Sequence, residues 1–322
     1  MACPLTSSCA SGDRCDVRVE TGQALYNRLH ASLTIHPSGA AGIDSLLDGG
    51  LWSSEVTEVC GSSSTGKTQL CFTVLASALL QTHRGKRARL LFLDSSNCFR
   101  PNRIKQIIMS RQRHLDEHAA DELLSRVDYA RITDYDELCQ QLQRLNALLQ
   151  SASVHYSCVL IDSVAGVLMD TVLSEDKVIG RQQQQRIGRA LQRLCAEHNV
   201  AVLCVNHVTE WNGSIRPALG QFWASIAHTR LLVSRCAQPD RNGGALYQAE
   251  LIKSVKQPIK RSCKYRLDSG GVVDERAAAF VPGGCSEHQN EHSNTAATHG
   301  QLHVADSLLT RLASAVARTD AF

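Results

Sequence analysis

The sequence has little net charge and no long apolar run, and each shortage excludes a class of protein. Its 322 residues carry a formal net charge of only +3 at pH 7. Charge as a whole therefore does not indicate a nucleic-acid binder, and any such role must come from local patches. No apolar run reaches the roughly 18 residues that a membrane helix needs, and no basic-then-apolar leader opens the chain. We expect a soluble, intracellular protein with no membrane partner.

The 13 cysteines include no C-x-x-C pair. Cys3, Cys9 and Cys15 are spaced by six residues, which is not a zinc spacing. The cysteines inside apolar segments are predicted to be small core residues in a reducing compartment, and they are Cys60, Cys71, Cys158, Cys195 and Cys204. We expect no structural metal.

A glycine-rich segment at residues 61–68, GSSSTGKT, matches the pattern G-x-x-x-x-G-K-[ST] of a triphosphate-binding loop. Glycines there let backbone N–H groups curl round phosphate oxygens. Lys67 would reach the β- and γ-phosphates, and the Thr68 hydroxyl would bind Mg²⁺. Val56–Cys60 before the loop is typical of a strand, and Gln69–Leu80 after it is typical of a buried helix. This context favours a nucleotide loop over an ordinary Gly/Ser turn, and the predicted ATP-binding residues are Gly61, Ser62, Ser63, Ser64, Thr65, Gly66, Lys67, Thr68 and Gln69.

Two further polar residues end apolar strands. Asp162 closes the strand from Cys158, and an acid there can hold the Mg²⁺ water shell, although a strand-ending Asp is commonly just a turn former. His207 follows the strand that would lie next in the sheet, where it could sense the γ-phosphate or be a cap or core histidine. We predict catalytic roles for Lys67, Asp162 and His207, with Thr68 and Asp162 as the magnesium ligands.

Strand and helix patterns alternate regularly from residue 42 to residue 274. This alternation predicts an α/β fold, with a mostly parallel twisted sheet covered by helices on both faces. Residues 1–19 are predicted to be disordered, and 20–41 to be a linker with a short helix and a strand at 32–35. Residues 275–322 are predicted to be a mostly disordered tail with a possible helix at 304–318.

Several segments resemble the RecA-like strand-exchange recombinases. They are GIDSLLDGGL at 42–51, GKTQLC at 66–71, FLDSSNCFRPNRI at 92–104, LIDSVAGV at 160–167, VNHVTE at 205–210 and PALGQFWASIAHTRLLV at 217–233. The resemblance covers about residues 20–274 and is greatest to the D paralogues, a subunit class of homologous-recombination mediator complexes.

The resemblance implies a RecA-like P-loop ATPase core that uses ATP and Mg²⁺, with Arg103 among the nucleotide-binding residues. It implies single-stranded or forked DNA and other recombinase paralogues, in a hetero-oligomer, as partners. It also implies a role in DNA repair in the nucleus.

One departure from this family concerns the residue that activates water. The family has a Glu just after the second strand of the core, and the corresponding residue here is Ser96. A hydroxyl cannot act as a general base near pH 7, so we expect weak ATP hydrolysis. Asp94 could substitute, but it lies two residues earlier.

The family binds nucleic acid through two loops. The first corresponds to residues 170–181 and offers Lys177 and Arg181, and the second to 209–216 and offers Trp211 and Arg216. A Trp beside an Arg suits stacking on unpaired bases together with phosphate neutralisation. The alternative is that both segments are ordinary solvated loops.

A basic run at 253–266 contains Lys253 and Lys256. It could be a DNA-facing patch, a solvated hairpin, or the source of lysines that reach a neighbouring subunit's ATP. Two functions therefore remain open, an assembly subunit with weak ATPase activity and an autonomous DNA-stimulated ATPase that forms its own filament. A regulatory ATPase without a DNA function is a more distant alternative.

Overall fold

The fold is described from a computed structural model. It covers residues 20–81, 88–151, 154–173, 176–211, 214–240 and 243–275. The predicted disordered start at 1–19, nearly all of the predicted tail and its possible helix at 304–318 lie outside the described residues.

The described helices are α1 Gly22–Ser32, α2 Ala41–Leu46, α3 Lys67–Leu80, α4 Pro101–Arg111, α5 Glu117–Leu124, α6 Tyr135–Gln150, α7 Val164–Leu173, α8 Lys177–His198 and α9 Gly220–Ala224. The described strands are β1 Ile35–His36, β2 Leu51–Trp52, β3 Val56–Gly61, β4 Arg89–Asp94, β5 Val127–Arg131, β6 Tyr156–Asp162, β7 Ala201–Asn206, β8 Val208–Trp211, β9 Ser214–Pro217, β10 Thr229–Arg235, β11 Tyr247–Lys253, β12 Ser262–Asp268 and β13 Gly271–Asp274.

The main sheet has the strand order β13-β12-β11-β10-β3-β7-β6-β4-β5. The strands from β10 to β5 pair in parallel, whereas β11, β12 and β13 are antiparallel to their neighbours. Every residue of β3, β6 and β7 is buried, as expected of parallel strands that are covered on both faces. The predicted α/β fold with a mostly parallel sheet is confirmed.

Two hydrophobic clusters lie on opposite faces of the sheet. One joins α2, α3, α4 and α5, and the other joins α6, α7, α8 and α9. Alternate residues of β6 enter different clusters, because side chains of a strand point to opposite faces: Leu160 belongs to the first and Ile161 to the second. The five cysteines predicted to be core residues are buried, at no more than 1% exposure.

The segment before the core contains the predicted short helix, α1. The predicted strand at 32–35 is displaced, since β1 is Ile35–His36 and pairs antiparallel with β2. Among the described helices, none is long and apolar enough to cross a membrane.

The strand order places the candidate site residues at one edge of the sheet. β7 lies between β3 and β6, and β4 lies on the other side of β6. Since parallel strands end at the same edge, the loop after β3, Asp162, His207 and Asp94 come together there, which is the usual ligand position in such sheets.

Candidate nucleotide-binding site

The loop between β3 and α3 has the backbone that its glycines allow. Gly66 is the N-cap of α3 and has φ +85°, a left-handed conformation that residues with a Cβ rarely adopt. A Cβ added to Gly61 would lie 2.3 Å from the carbonyl oxygen of Val233, so no larger residue fits. The helix that follows directs its N-terminal N–H groups and dipole towards the loop, which favours an anion.

Lys67 lies at the start of α3 and is only 8% exposed. Its Nζ donates to the carbonyl oxygens of Gly61, at 2.8 Å, and Ser62, at 2.6 Å. Burial lowers the pKa of the Lys67 ammonium, and the negative charge of Asp162 partly opposes that shift. The ammonium is therefore held inside the loop by the loop's own carbonyl groups.

Tyr265, on β12, supports the loop from outside. This fully buried residue donates its hydroxyl proton to the carbonyl oxygen of Thr65, at 2.9 Å. Leu267 on the same strand packs near Gly66, where a Cβ would be 3.1 Å from Leu267 Cδ1. The sequence reasoning missed both residues, because no motif links positions 200 residues apart.

Thr68 and Asp162 form the oxygen-rich pair that was predicted to bind magnesium. Thr68 Oγ1 donates to Asp162 Oδ2 at 2.6 Å. Asp162 is 4% exposed, and burial raises the pKa of its carboxyl group, which the Thr68 hydrogen bond partly counteracts. Hydroxyl and carboxylate oxygens are ligands that Mg²⁺ accepts, so these two residues fit that ion.

Asp94 ends β4 beside Asp162, its Cα partner on β6. Its carboxylate accepts hydrogen bonds from the backbone N–H groups of Ser96 and Phe99, both at 2.9 Å. Burial alone would raise the pKa of Asp94, but these backbone bonds outweigh it and hold the pKa below the usual value. The carboxylate thus organises the turn that carries Ser96, whose side chain is exposed.

Cys98, which the sequence reasoning did not select, lies between the two acids. Its Sγ is 3.4 Å from Asp94 Oδ1 and 3.4 Å from Asp162 Oδ2, with the thiol as donor. Burial, followed by the two carboxylates, raises the pKa of Cys98 well above its ordinary value. The protonated thiol therefore bridges two neighbouring strand ends.

His207 directly follows β7, and its side chain lies next to the end of β6. Its Nε2 is 3.2 Å from the hydroxyl oxygen of Ser163, the residue after Asp162. Burial lowers the pKa of His207, and the charge of Lys67 lowers it further. The neutral imidazole is therefore favoured. It lies within hydrogen-bonding distance of Ser163, which adjoins the predicted magnesium ligand Asp162.

Arg103 and Gln69, which were each predicted to bind the nucleotide, contact each other beside the loop. Arg103 Nε donates to Gln69 Oε1 at 2.8 Å, and Arg103 Nη2 donates to the carbonyl oxygen of Asp268 at 2.5 Å. These contacts fix the guanidinium between α3, α4 and the turn that follows β12.

The first predicted DNA-binding loop is mostly helical, which corrects the loop prediction for 170–181. α7 continues to Leu173, and α8 begins at Lys177, because the Asp176 carboxylate caps it by accepting from the N–H groups of Val178, at 2.9 Å, and Ile179, at 3.2 Å. Lys177 and Arg181 therefore lie about one turn apart at the start of a helix, and both are exposed.

The second predicted loop, at 209–216, is a hairpin of β8 and β9. Thr209 pairs with Arg216 and Trp211 with Ser214. The N–H of Ala218 donates to the carbonyl oxygen of His207 at 2.9 Å and closes the base of the hairpin. The hairpin thus begins directly after His207, the residue whose side chain faces Ser163.

The two lysines predicted to act on a neighbouring subunit have partners within this chain. Lys253 Nζ donates to the carbonyl oxygen of Ala224 at 2.8 Å. Lys256 forms an ion pair with Glu55, and its Nζ lies 4.3 Å from the centre of the Trp52 ring.

A buried ion pair joins the central strands. Arg230 on β10 donates to the Glu58 carboxylate on β3 through Nε, at 2.8 Å, and Nη2, at 2.9 Å. Asn206 at the end of β7 donates to the same carboxylate through Nδ2, at 2.7 Å. Three parallel strands are therefore tied together just before the site.

Comparisons with known proteins agree with this architecture. The sequence model described as Rad51 matches residues 30–275. The chain is 30% identical over 258 residues to DNA repair protein RAD51 homolog 4 of Bos taurus, covering 78% of this chain and 76% of that protein. It is 29% identical over 268 residues to the Mus musculus protein of the same name, covering 81% and 79%. It is 28% identical over 250 residues to the Homo sapiens meiotic recombination protein DMC1/LIM15 homolog, covering 74% and 70%.

RAD51 homolog 4 is the D paralogue, so the predicted resemblance is confirmed. Since the Rad51 match extends over residues 30–275, most of the chain and the whole nucleotide site, this protein belongs to the Rad51 family.

Proposed function

We propose that the chain is an ATP-binding and DNA-binding subunit of a homologous-recombination repair complex, which assists recombinase assembly on single-stranded DNA and hydrolyses ATP weakly. The observation that carries the proposal is an intact phosphate loop and Thr68–Asp162 pair next to an exposed Ser96 where the family has a Glu. The chain therefore has the residues that we propose bind ATP and Mg²⁺, and it lacks a carboxylate at position 96 to act as the general base.

Binding would use the loop from Gly61 to Thr68. Its backbone N–H groups and the Lys67 ammonium would hold the phosphates, which requires Lys67 to exchange the carbonyl oxygens of Gly61 and Ser62 for phosphate oxygens. Arg103 would lie at the side of the nucleotide near Gln69. Thr68 and Asp162 would hold Mg²⁺, which when bound neutralises phosphate charge.

Weak hydrolysis follows from the residues near the strand ends. Ser96 has no carboxylate to accept a proton from water, and the Asp94 carboxylate is occupied by three backbone N–H groups. The His207 imidazole, with its lowered pKa, would remain to make a neutral hydrogen bond to the γ-phosphate. We infer that ATP serves this chain mainly as a ligand that stabilises an assembled state.

DNA binding would use the exposed cations at the start of α8, Lys177 and Arg181, with Arg216 and Trp211 of the hairpin. Because phosphate contacts dominate such binding, the affinity should fall steeply with salt. Nuclear residence follows from a repair function.

Other recombinase paralogues are the proposed protein partners. Lys253 and Lys256 are proposed to reach a neighbouring subunit's nucleotide. Each would first have to give up its partner in this chain, so this role requires a rearrangement that partner binding would drive.

ATP turnover by the purified chain, with and without single-stranded DNA, tests the proposal beside a Lys67→Ala control. We expect turnover near background, with ATP binding that is lost in Lys67→Ala. Strong DNA-stimulated turnover that Lys67→Ala abolishes would instead support the second function, an autonomous filament-forming ATPase.

A further inference from the structure

The hydroxyl group of Ser163 lies between two polar partners at the start of α7. Ser163 directly follows Asp162 and is fully buried, at 0% exposure. Its Oγ accepts a hydrogen bond from the Gly166 N–H at 3.0 Å, which satisfies a donor in the first turn of the helix. The same Oγ lies 3.2 Å from His207 Nε2. Among the residues that the structure describes, the hydroxyl has no further polar partner.

The backbone of Ser163 is fixed by Ser95, in the turn after β4. The Ser163 N–H donates to Ser95 Oγ at 2.9 Å, and Ser95 Oγ donates to the Ser163 carbonyl oxygen at 2.8 Å. The fit is close, because a Cβ added to Gly166 would lie 2.6 Å from Ser95 Oγ. The Ser163 hydroxyl is therefore held in a defined position against the His207 ring.

Counting protons decides which partner of this contact is the donor. A hydroxyl group has one proton to donate and two lone pairs to accept with, and the Gly166 N–H uses one lone pair. If His207 Nε2 carried a proton, Ser163 Oγ would accept twice, and its own buried proton would have no acceptor among the described residues. A buried donor without a partner is costly. If Nε2 is unprotonated, the Ser163 hydroxyl donates to it, and every group is satisfied.

This assignment leaves the single proton of the neutral imidazole on Nδ1. Burial lowers the pKa of His207, and the charge of Lys67 lowers it further, so the neutral ring is the relevant form. Which ring nitrogen of a histidine is protonated is set by the hydrogen bond that the other nitrogen makes. Within the described part of the chain, His207 Nδ1 has no hydrogen-bond partner. It is therefore a donor that remains open to a ligand near the Lys67 ammonium.

We propose that Ser163 is a positioning residue, which fixes His207 as the Nδ1–H tautomer and so makes this imidazole a hydrogen-bond donor to the terminal phosphate of ATP. With Nε2 bound to Ser163 and Nδ1 protonated, neither ring nitrogen accepts a proton from water. The inference rests on the proposed ATP-binding function. It deepens that function by naming the atom that distinguishes ATP from ADP and the residue that prepares it.

The first test reads the tautomer directly in the full, nucleotide-free chain. Long-range ¹H–¹⁵N correlation spectra of protein labelled with ring-¹⁵N histidine separate protonated from unprotonated ring nitrogens, and the signals missing from His207→Ala identify His207. We expect a protonated Nδ1 and an unprotonated Nε2 in wild type. Ser163→Ala should move a large share of the proton to Nε2, and Ser163→Thr, which retains the hydroxyl, should keep it on Nδ1.

The second test compares the affinities for ATP and ADP, both with Mg²⁺. We expect His207→Ala to lower the ratio of ATP affinity to ADP affinity about tenfold, because a hydrogen bond to a charged oxygen is lost. Ser163→Ala should lower the same ratio about threefold, and Ser163→Thr should restore it. ADP binding serves as the internal control for correct folding, since a merely structural defect would weaken both nucleotides alike.

A double-mutant cycle shows whether Ser163 acts through His207. Adding Ser163→Ala to His207→Ala should leave the affinity ratio unchanged, and a further loss would overturn the positioning role. The inference is also overturned, whether or not ATP binds, if the wild-type proton is on Nε2 or if Ser163→Ala leaves it wholly on Nδ1. If the spectra are as expected but wild type binds neither nucleotide, the phosphate-donor role fails together with the ATP-binding part of the proposed function.

Discussion

Thr68 Oγ1 donates a 2.6 Å hydrogen bond to Asp162 Oδ2 across 94 residues of sequence. The bond joins the helix after the phosphate loop to the end of β6. It keeps a hydroxyl and a buried carboxylate together at the point where the sheet edge meets the loop.

We expect Thr68→Val to abolish the magnesium dependence of nucleotide affinity, because the variant keeps the shape of the side chain but removes its oxygen ligand. Thr68→Ser, which retains the hydroxyl, is the matched control. ATP titrations with Mg²⁺ and with EDTA should show that Mg²⁺ tightens binding by about tenfold or more in wild type and Thr68→Ser only. The same magnesium effect in Thr68→Val would remove Thr68 from the metal site.

Ser96→Glu should raise the rate of ATP hydrolysis, because it supplies a carboxylate where the family has its base. General-base catalysis contributes about 10²-fold or more, so a gain of that order in kcat is expected. The exposed side chain of Ser96 can be replaced without disturbing the backbone bond from Ser96 N–H to Asp94. Ser96→Gln has the same size without the basic carboxylate. If steady-state phosphate release is equal in the two variants, the lack of a base does not limit hydrolysis.

Arg230→Met should destabilise the fold by about 3–5 kcal/mol, because it leaves the fully buried Glu58 carboxylate with the Asn206 amide but without a cation. The double variant Glu58→Met with Arg230→Met removes both charges and should recover part of that loss, since the buried Asn206 amide then lacks its acceptor. Urea unfolding measures both free energies. A double variant as unstable as Arg230→Met would mean that the strands need the ion pair itself.

Acidification should destabilise the fold through His228. Burial lowers the pKa of this imidazole, and its Nδ1 accepts a hydrogen bond from the Val56 N–H at 3.0 Å, which requires an unprotonated nitrogen. The unfolded chain therefore binds a proton first, so stability is full above the ordinary pKa of 6.5 and falls as the pH drops below it.

Urea midpoints between pH 7.5 and pH 5.5 check this expectation. His228→Asn provides a non-titrating acceptor for Val56 and should lose less stability over that range than wild type. Parallel pH profiles for the two proteins would contradict a role for His228. His207 has a lowered pKa as well, so the wild-type loss includes its share, and that share remains in His228→Asn.

The sequence alone determined the elements whose signals are local. The phosphate loop is contiguous, so residue type and spacing specify its backbone without reference to the rest of the chain. The parallel strands are short apolar runs because both of their faces are covered, and that pattern is visible in the sequence. The same pattern shows that Asp162 ends a strand and that His207 directly follows one, and their catalytic roles remain predictions.

The contacts that depend on which strands are neighbours are visible only in the tertiary structure. The bond from Tyr265 to Thr65, the Cys98 bridge and the Glu58–Arg230 pair join residues from separate elements, and no spacing rule connects them. Strand order in a sheet is a long-range choice, set by which faces bury together rather than by local preference. Residues 170–173 and 177–181 are helical, and α8 begins at Lys177 because the Asp176 carboxylate accepts hydrogen bonds from the first N–H groups of that helix.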